Sequence, residues 1–416
     1  MKPLSRACRL ILGERSGVLP TAHGYSQEVP DSLMNVAALW TKHCIAPGRC
    51  AVAVVMLVLA ACTGSPAQMP GKPDHHRDDG GFRNPPGSPS AQATLGELAS
   101  FFWRRIREQP PAVPSGHVIP HDDALAAFDA SAGDDTVTWL GHASFLLRVT
   151  GKTILTDPYL GEVAGPFGFG PSRYAPPGLL LADLPPIDIV LVSHNHYDHL
   201  DATTIAALPG KDRIQVIVPL GLGDFFRERG YRHVHERDWY ERVAVDPIEI
   251  EVLPAIHFSR RGLFDRNRTL WSGFAIRSDG ISIFHSGDTA YGPVFREIGR
   301  RAGPFDVALV AIGAYEPRSI MQVAHVTPEE AVSLVDDIGA RSAIGMHWGT
   351  IELTDEPPFE PPVRFRAAAH ARGWPEGRAR VMRIGETLRL AALRFEESDQ
   401  RNRPLGADEQ AAQSSD

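Results

Sequence analysis

The chain has 416 residues, 43% hydrophobic and 22% charged, which is enough for one large or two ordinary domains with a real core. A net charge of -8 and the lack of a long Lys/Arg stripe argue against a nucleic-acid groove. All four cysteines (Cys8, Cys44, Cys50, Cys62) precede residue 63, so a metal in the main domain must be held by His and carboxylates.

Near the N-terminus, Arg49 is followed by the apolar run AVAVVMLVLAA, ending at Cys62 and the polar TGSPAQ. The run is too short to span a bilayer but suits a signal-peptide core. The stretch resembles a bacterial lipoprotein signal, with Cys62 as the lipidated residue. The long segment upstream looks like a translation start placed too early, with Met34 an alternative. Residues 1–61 are thus expected to be an extension and signal peptide. Residues 62–80, rich in Pro, Gly and polar side chains, are expected to be a flexible tether in which His75 and His76 are solvated. Next, ELASFFWRRIREQPP pairs Phe101, Phe102 and Trp103 with arginines. It reads as a helix packing its aromatics on the core, with a membrane-surface segment as the alternative.

From there to about residue 395, short apolar runs alternate with helical patterns. Expected strands are TVTWL, SFLLRV, KTILTD, IDIVLVS, IQVIVP, IEIEVLPA, GFAIR, ISIFHSGD, VALVAIG and SAIGMH. Expected helices are LDATTIAAL, GLGDFFRERG, PVFREIGRRA and TPEEAVSLVDDIG. The last opens with Thr327 as N-cap, Pro328 at the first helical position and Glu330 completing a capping box. This interleaving predicts one α/β domain with more than one sheet. Residues 396–416 are poor in apolar side chains and expected to be disordered.

After IDIVLV comes SHNHYDHLD, in which His194, His196, Asp198 and His199 form an H-x-H-x-D-H pattern. In extended backbone, residues two apart point the same way, so His194 and His196 can bind one ion. Asp198 and His199 lie where the chain turns toward the next helix and can face a second. Imidazole and carboxylate suit zinc, with manganese or iron also compatible. Further candidates stand at strand ends: His257 after IEIEVLPAI, Asp288 after ISIFHSG and His347 after SAIGM.

Together with FRNP (82–85), WLGHASFLL (139–147), ILTDPYLG (154–161), LFDRNRTLWSGF (263–274), IGAYEPR (312–318), HVTPEEAV (325–332) and MHWGT (346–350), these stretches resemble N-acylphosphatidylethanolamine-hydrolysing phospholipase D and its bacterial relatives, within the metallo-β-lactamase superfamily. The resemblance spans roughly residues 80 to 390 and implies an αβ/βα four-layer sandwich of two mixed sheets flanked by helices. It implies two Zn2+ per chain: one on His194, His196 and His257, the other on Asp198, His199 and His347, with Asp288 shared. Two cations so placed acidify a bridging water and neutralise charge on a phosphoryl oxygen.

Around these ligands, Asp157 is a candidate to hold a ligand imidazole in its working tautomer, though Asp before Pro is also a common turn former. His142 is assigned to the catalytic site, with a buried polar role as the alternative. His325 is a candidate to contact phosphate or protonate the leaving oxygen. Ala324 replaces a Gln of the mammalian enzymes. Arg318 is expected to pair with substrate phosphate or with Glu316.

The expected function is hydrolysis of N-acylphosphatidylethanolamine-like phospholipids at a bacterial envelope membrane. The expected partners are that substrate, the membrane reached through the lipid anchor, no nucleic acid, and a homodimer as one admissible assembly. A lactonase on the same scaffold and a non-catalytic metal-binding envelope lipoprotein are the alternatives.

Overall fold

β-branched residues pack well on a pleated surface, so the short Val- and Ile-rich runs bounded by Gly, Pro or Asp become strands. The computed structural model describes residues 72–105 and 111–393, whose strands form two seven-stranded mixed sheets. In the first, β1 (Thr136–Gly141), β2 (Ser144–Val149) and β3 (Lys152–Thr156) are antiparallel, and β4 (Ile189–Leu191), β5 (Gln215–Pro219) and β6 (His233–Arg237) continue in parallel. The second repeats this plan. β7 (Arg242–Val245), β8 (Ile248–Leu253), β9 (Gly273–Ser278) and β10 (Ile281–His285) are antiparallel, followed in parallel by β11 (Phe305–Ala311), β12 (Ala340–Met346) and β13 (Ala379–Arg380). β14 (Thr387–Arg389) then pairs with β1.

Side chains on β4 show how the layers assemble. Ile189 and Leu191 enter the core between the sheets, with Trp139, Phe145, Ile250 and Leu309. Val190 and Val192 face the opposite side, in a cluster with Ile205 and Phe226 from the covering helices. A strand buried on both faces needs a continuous apolar run, which IVLV at 189–192 provides. Behind the second sheet lie helices Val294–Ala302 and Pro328–Asp337, with Phe295, Ile298, Val332 and Val335 buried. The result is the α/β four-layer sandwich, helix–sheet–sheet–helix.

Helix Pro328–Asp337 begins as expected. Thr327 Oγ1 accepts from Glu330 N–H and Glu330 accepts from Thr327 N–H, a cap of about 1 kcal/mol. Glu330 has a second task, because both its oxygens accept from Arg318 Nη2 at 2.7 and 2.6 Å. Arg318 also donates from Nη1 to the His325 carbonyl at 2.6 Å. Of the expected protein partners, Glu316 does not take the guanidinium and accepts only the Arg318 backbone N–H. Arg318 therefore braces His325.

Other differences follow from local chemistry. β6 and β7 carry HVHER and RVAV, short and largely exposed or half-buried strands at sheet edges, the first mostly polar and the second only four residues long. In helix Leu95–Arg105 only Phe101 is buried, while Phe102 and Trp103 are exposed. Arg104, still exposed, and the more buried Arg105 both pair with Asp355. Residues 72–80, assigned to a flexible tether, are folded: Arg77 N–H donates to Gly81 O, His76 bridges to Phe82, and His75 and His76 both reach Asp238. Their Pro, Gly and Asp residues shape turns rather than leave the chain solvated. Cys62 and the remaining expectations for residues 1–71 and 394–416 lie outside the described residues. No helix among the described residues is long and apolar enough to cross a membrane.

Candidate metal centre

Where β4 ends, the chain leaves the sheet with its polar side chains still buried, and the expected ligands meet there. His194, His196, His257 and Asp288 offer ligand atoms that lie within 4.8 Å of one another. Asp198, His199 and His347 do the same, joined by His142. Asp288 Oδ2 faces both sets. It lies 3.1 Å from His199 Nε2 and from His347 Nε2, 3.8 Å from His257 Nε2 and 3.9 Å from His194 Nε2.

Asp288 reaches this position through a constrained turn. Gly287 has φ +55°, and a Cβ there would stand 2.6 Å from Ser272 O and 2.8 Å from Ser193 Cβ, so only glycine fits. Three non-glycine residues at the centre, His142 (φ 55°), Asp157 (φ 37°) and His347 (φ 64°), are also left-handed. Such backbone persists where surrounding bonds over-determine it, and it clusters at functional sites. Here the bonds are visible. His142 N–H donates to Thr350 Oγ1 at 2.8 Å, and His347 N–H donates to His142 O at 3.1 Å.

The imidazoles are oriented from behind. Asp157 accepts from Ser193 N–H and Oγ–H, each at 2.7 Å, and from His199 Nδ1–H at 2.8 Å. Ser193 Oγ accepts from His194 Nδ1–H at 2.9 Å, and Ala324 O accepts from His257 Nδ1–H at 3.0 Å. With Nδ1 taken up from behind in each, the three Nε2 atoms point inward, the orientation a metal ligand requires. The bond at residue 324 is made by the main chain, so it does not depend on the side chain there.

Electrostatics agree with a cation. Burial pushes His257 and His142 down to about 3 and His196 to about 4, so these rings are neutral. At His347 burial opposes protonation, but Asp288 and Asp198 outweigh it and hold the ring up at about 9. The same carboxylates, with Asp157, hold His199 well above its usual range despite burial. The pocket thus favours positive charge between these atoms. His199 Nε2, His347 Nε2 and Asp288 Oδ1 are buried without a hydrogen-bond partner, as metal-directed donors would be. Residues and chemistry fit a pair of divalent ions.

His142 Nε2 bonds to Asp198 Oδ2 at 2.8 Å, so it steadies that carboxylate. His325 stands over the ligands, its ring 5.2 Å from His257 and 5.3 Å from His347, with Nδ1 buried and unpartnered. Beside them lies a small cleft of about 20 Å³ whose lining includes Tyr174, Trp348, Ile351 and Glu352. Two functional residues escaped the sequence. Ser193 precedes the motif directly and ties Asp157 to His194. Asn84, within FRNP, accepts from His257 N–H and Trp271 Nε1–H, both at 2.9 Å. Replacing Asp157 with Asn is expected to lower activity or zinc affinity about 10- to 100-fold, because His199 loses its charged anchor. Metal titration and steady-state rates check this, and unchanged values would assign Asp157 to the turn alone.

Comparison with known proteins agrees with this geometry. The beta-lactamase superfamily domain profile matches residues 152–348. An uncharacterized protein of Mycobacterium tuberculosis is 37% identical over 302 residues, covering 70% of this chain and 78% of its own. The N-acyl-phosphatidylethanolamine-hydrolyzing phospholipase D 1 of Caenorhabditis elegans is 40% identical over 248 residues, covering 56% and 70%. A UPF0173 metal-dependent hydrolase of Opitutus terrae is 33% identical over 259 residues, covering 61% and 99%. With two mixed sheets, a buried His/Asp centre at their edge and relatives of this extent, the chain belongs to the metallo-β-lactamase superfamily and is a metal-dependent hydrolase of that fold.

Proposed function

We propose that the protein is a two-zinc phosphodiesterase of the phospholipase D type, cleaving N-acylphosphatidylethanolamine-like phospholipids. One observation carries the dinuclear reading: a single carboxylate, Asp288, faces both His/Asp sets. The substrate class rests on the likeness to the nematode enzyme and on the motifs outside the ligand set.

Bound there, paired zinc ions would supply an activated water and neutralise charge growing on a phosphoryl oxygen. His194, His196 and His257 would hold one ion, Asp198, His199 and His347 the other, with Asp288 shared. Asp157 and Ala324 O keep the ligand rings turned inward, and His142 fixes Asp198. His325, braced through its carbonyl by Arg318 and kept neutral by burial, would contact the phosphate, while a water carries the proton to the departing N-acylethanolamine oxygen, leaving phosphatidate. Exposed apolar residues support a lipid substrate. Tyr197, inside the metal motif, packs with Ala164 and bonds to Arg261 O. The loops holding these neighbours expose Phe167 and Phe169 on one side, Leu263 and Phe264 on the other.

The test offers the zinc-loaded protein N-acylphosphatidylethanolamine in vesicles, a simple phosphodiester and a lactone. Release of phosphatidate is expected. Opening of the lactone alone, or full metal content with no turnover, overturns the reading. We place the protein at a bacterial envelope membrane, anchored through Cys62. In a bacterial host that lipidates lipoproteins, Cys62→Ala is expected to shift the chain from the membrane to the soluble fraction. A variant that stays in the membrane refutes that anchor.

A further inference from the structure

We infer a third metal site, separate from the hydrolytic centre, formed by His75, His76 and Asp238. Adjacent side chains normally diverge from an extended or helical backbone. Here the turn that begins with His76 N–H donating to Pro73 O folds both rings to the same side, with centroids 4.6 Å apart. Their Nε2 atoms meet the two oxygens of one carboxylate, His75 at 2.6 Å from Asp238 Oδ1 and His76 at 2.7 Å from Oδ2. One ligand atom from each residue lies within 4.8 Å of the others.

The surroundings hold this geometry. His75 stacks on Trp239 at 4.1 Å, and His76 meets Phe82 edge-on at 5.1 Å. Asp238 Oδ1 also accepts from Trp239 N–H at 2.8 Å. Side-chain exposures of 12%, 21% and 17% are low enough to orient the ligands and high enough to admit an ion. Two imidazoles and a carboxylate suit zinc, with water completing the shell. Zinc at about 2.1 Å from each atom separates its ligands by roughly 3.4 Å, so the carboxylate retreats by several tenths of an ångström.

The site has a structural consequence. It closes the segment at residues 72–82 onto the loop after β6. The same segment continues into Asn84, which accepts from His257 N–H. Trp239, stacked on His75, donates to Trp271 O, and Trp271 donates to Asn84. An ion at His75, His76 and Asp238 thus pins the strap that supports a ligand of the hydrolytic centre.

The same three groups can instead form two plain hydrogen bonds, and one substitution separates the cases. Glutamine can donate to Asp238 but is a poor zinc ligand. The full chain and its His75→Gln/His76→Gln variant would be dialysed against the same zinc-buffered solution and their metal measured by elemental mass spectrometry. The variant is expected to hold one zinc fewer per chain, and Asp238→Asn to show the same deficit. Equal zinc in all three overturns the site, whatever the hydrolytic centre binds or turns over. Should the variants fail to fold, anomalous scattering at the zinc edge from wild-type crystals decides. A peak between the two Nε2 atoms and Asp238 is expected, and its absence refutes the proposal.

Discussion

Replacing Asp288 with Asn is expected to reduce kcat/KM on the order of 10³-fold while the domain stays folded. Among the described residues, Asp288 is the one carboxylate within 4 Å of ligand nitrogens from both sets, and it is itself buried. Asparagine keeps its shape but removes the charge and one oxygen ligand, so it cannot serve two cations equally. Stabilisation of a phosphoryl oxygen by metal is worth several kcal/mol, and each ~1.4 kcal/mol is tenfold in rate. The fold tolerates the change because the turn depends on Gly287 rather than on the carboxylate. Steady-state kinetics with parallel metal analysis make the check. Wild-type turnover at wild-type metal content would remove Asp288 from the mechanism.

Chelation is expected to abolish turnover and to lower Tm by on the order of 10 °C, with both restored by zinc. The centre buries Asp198 and Asp288 among five imidazoles, and His199 and His347 each keep Nε2 without a hydrogen-bond partner. A cation satisfies these atoms at once. An ion held at 1,000 times its Kd adds about 4 kcal/mol to stability. In a domain of roughly this size each kcal/mol is worth a few degrees. Calorimetry before and after dialysis against chelator, with the metal loss measured, tests both statements. Protein stripped of metal that still turns substrate over would end the metal-dependent account of this site.

These expectations draw on residues of two kinds. The run IVLV followed by SHNHYDHLD is local: a fully apolar strand must be buried on both faces, and its polar sequel must then emerge at a sheet edge. The same holds for Thr327, Pro328 and Glu330, whose cap needs only three neighbouring positions. Such features obey short-range stereochemistry, so they can be read directly. The composition of residues 72–80 was read by the same kind of rule and misled, because turn-forming residues do not say whether a turn will find a partner.

Chain order alone determined the apolar strands, the capped helix, the H-x-H-x-D-H cluster and, through resemblance, its companions His257, Asp288 and His347. Tertiary structure decided what those groups touch. It set His142 on Asp198 and turned Arg318 to Glu330 and the His325 carbonyl. It also carried Asn84 to His257 and folded His75 and His76 onto Asp238. Periodicity and capping are encoded within a few residues. The meeting of side chains more than a hundred positions apart depends on sheet register and on strained turns such as those at His142 and His347, which no local pattern specifies.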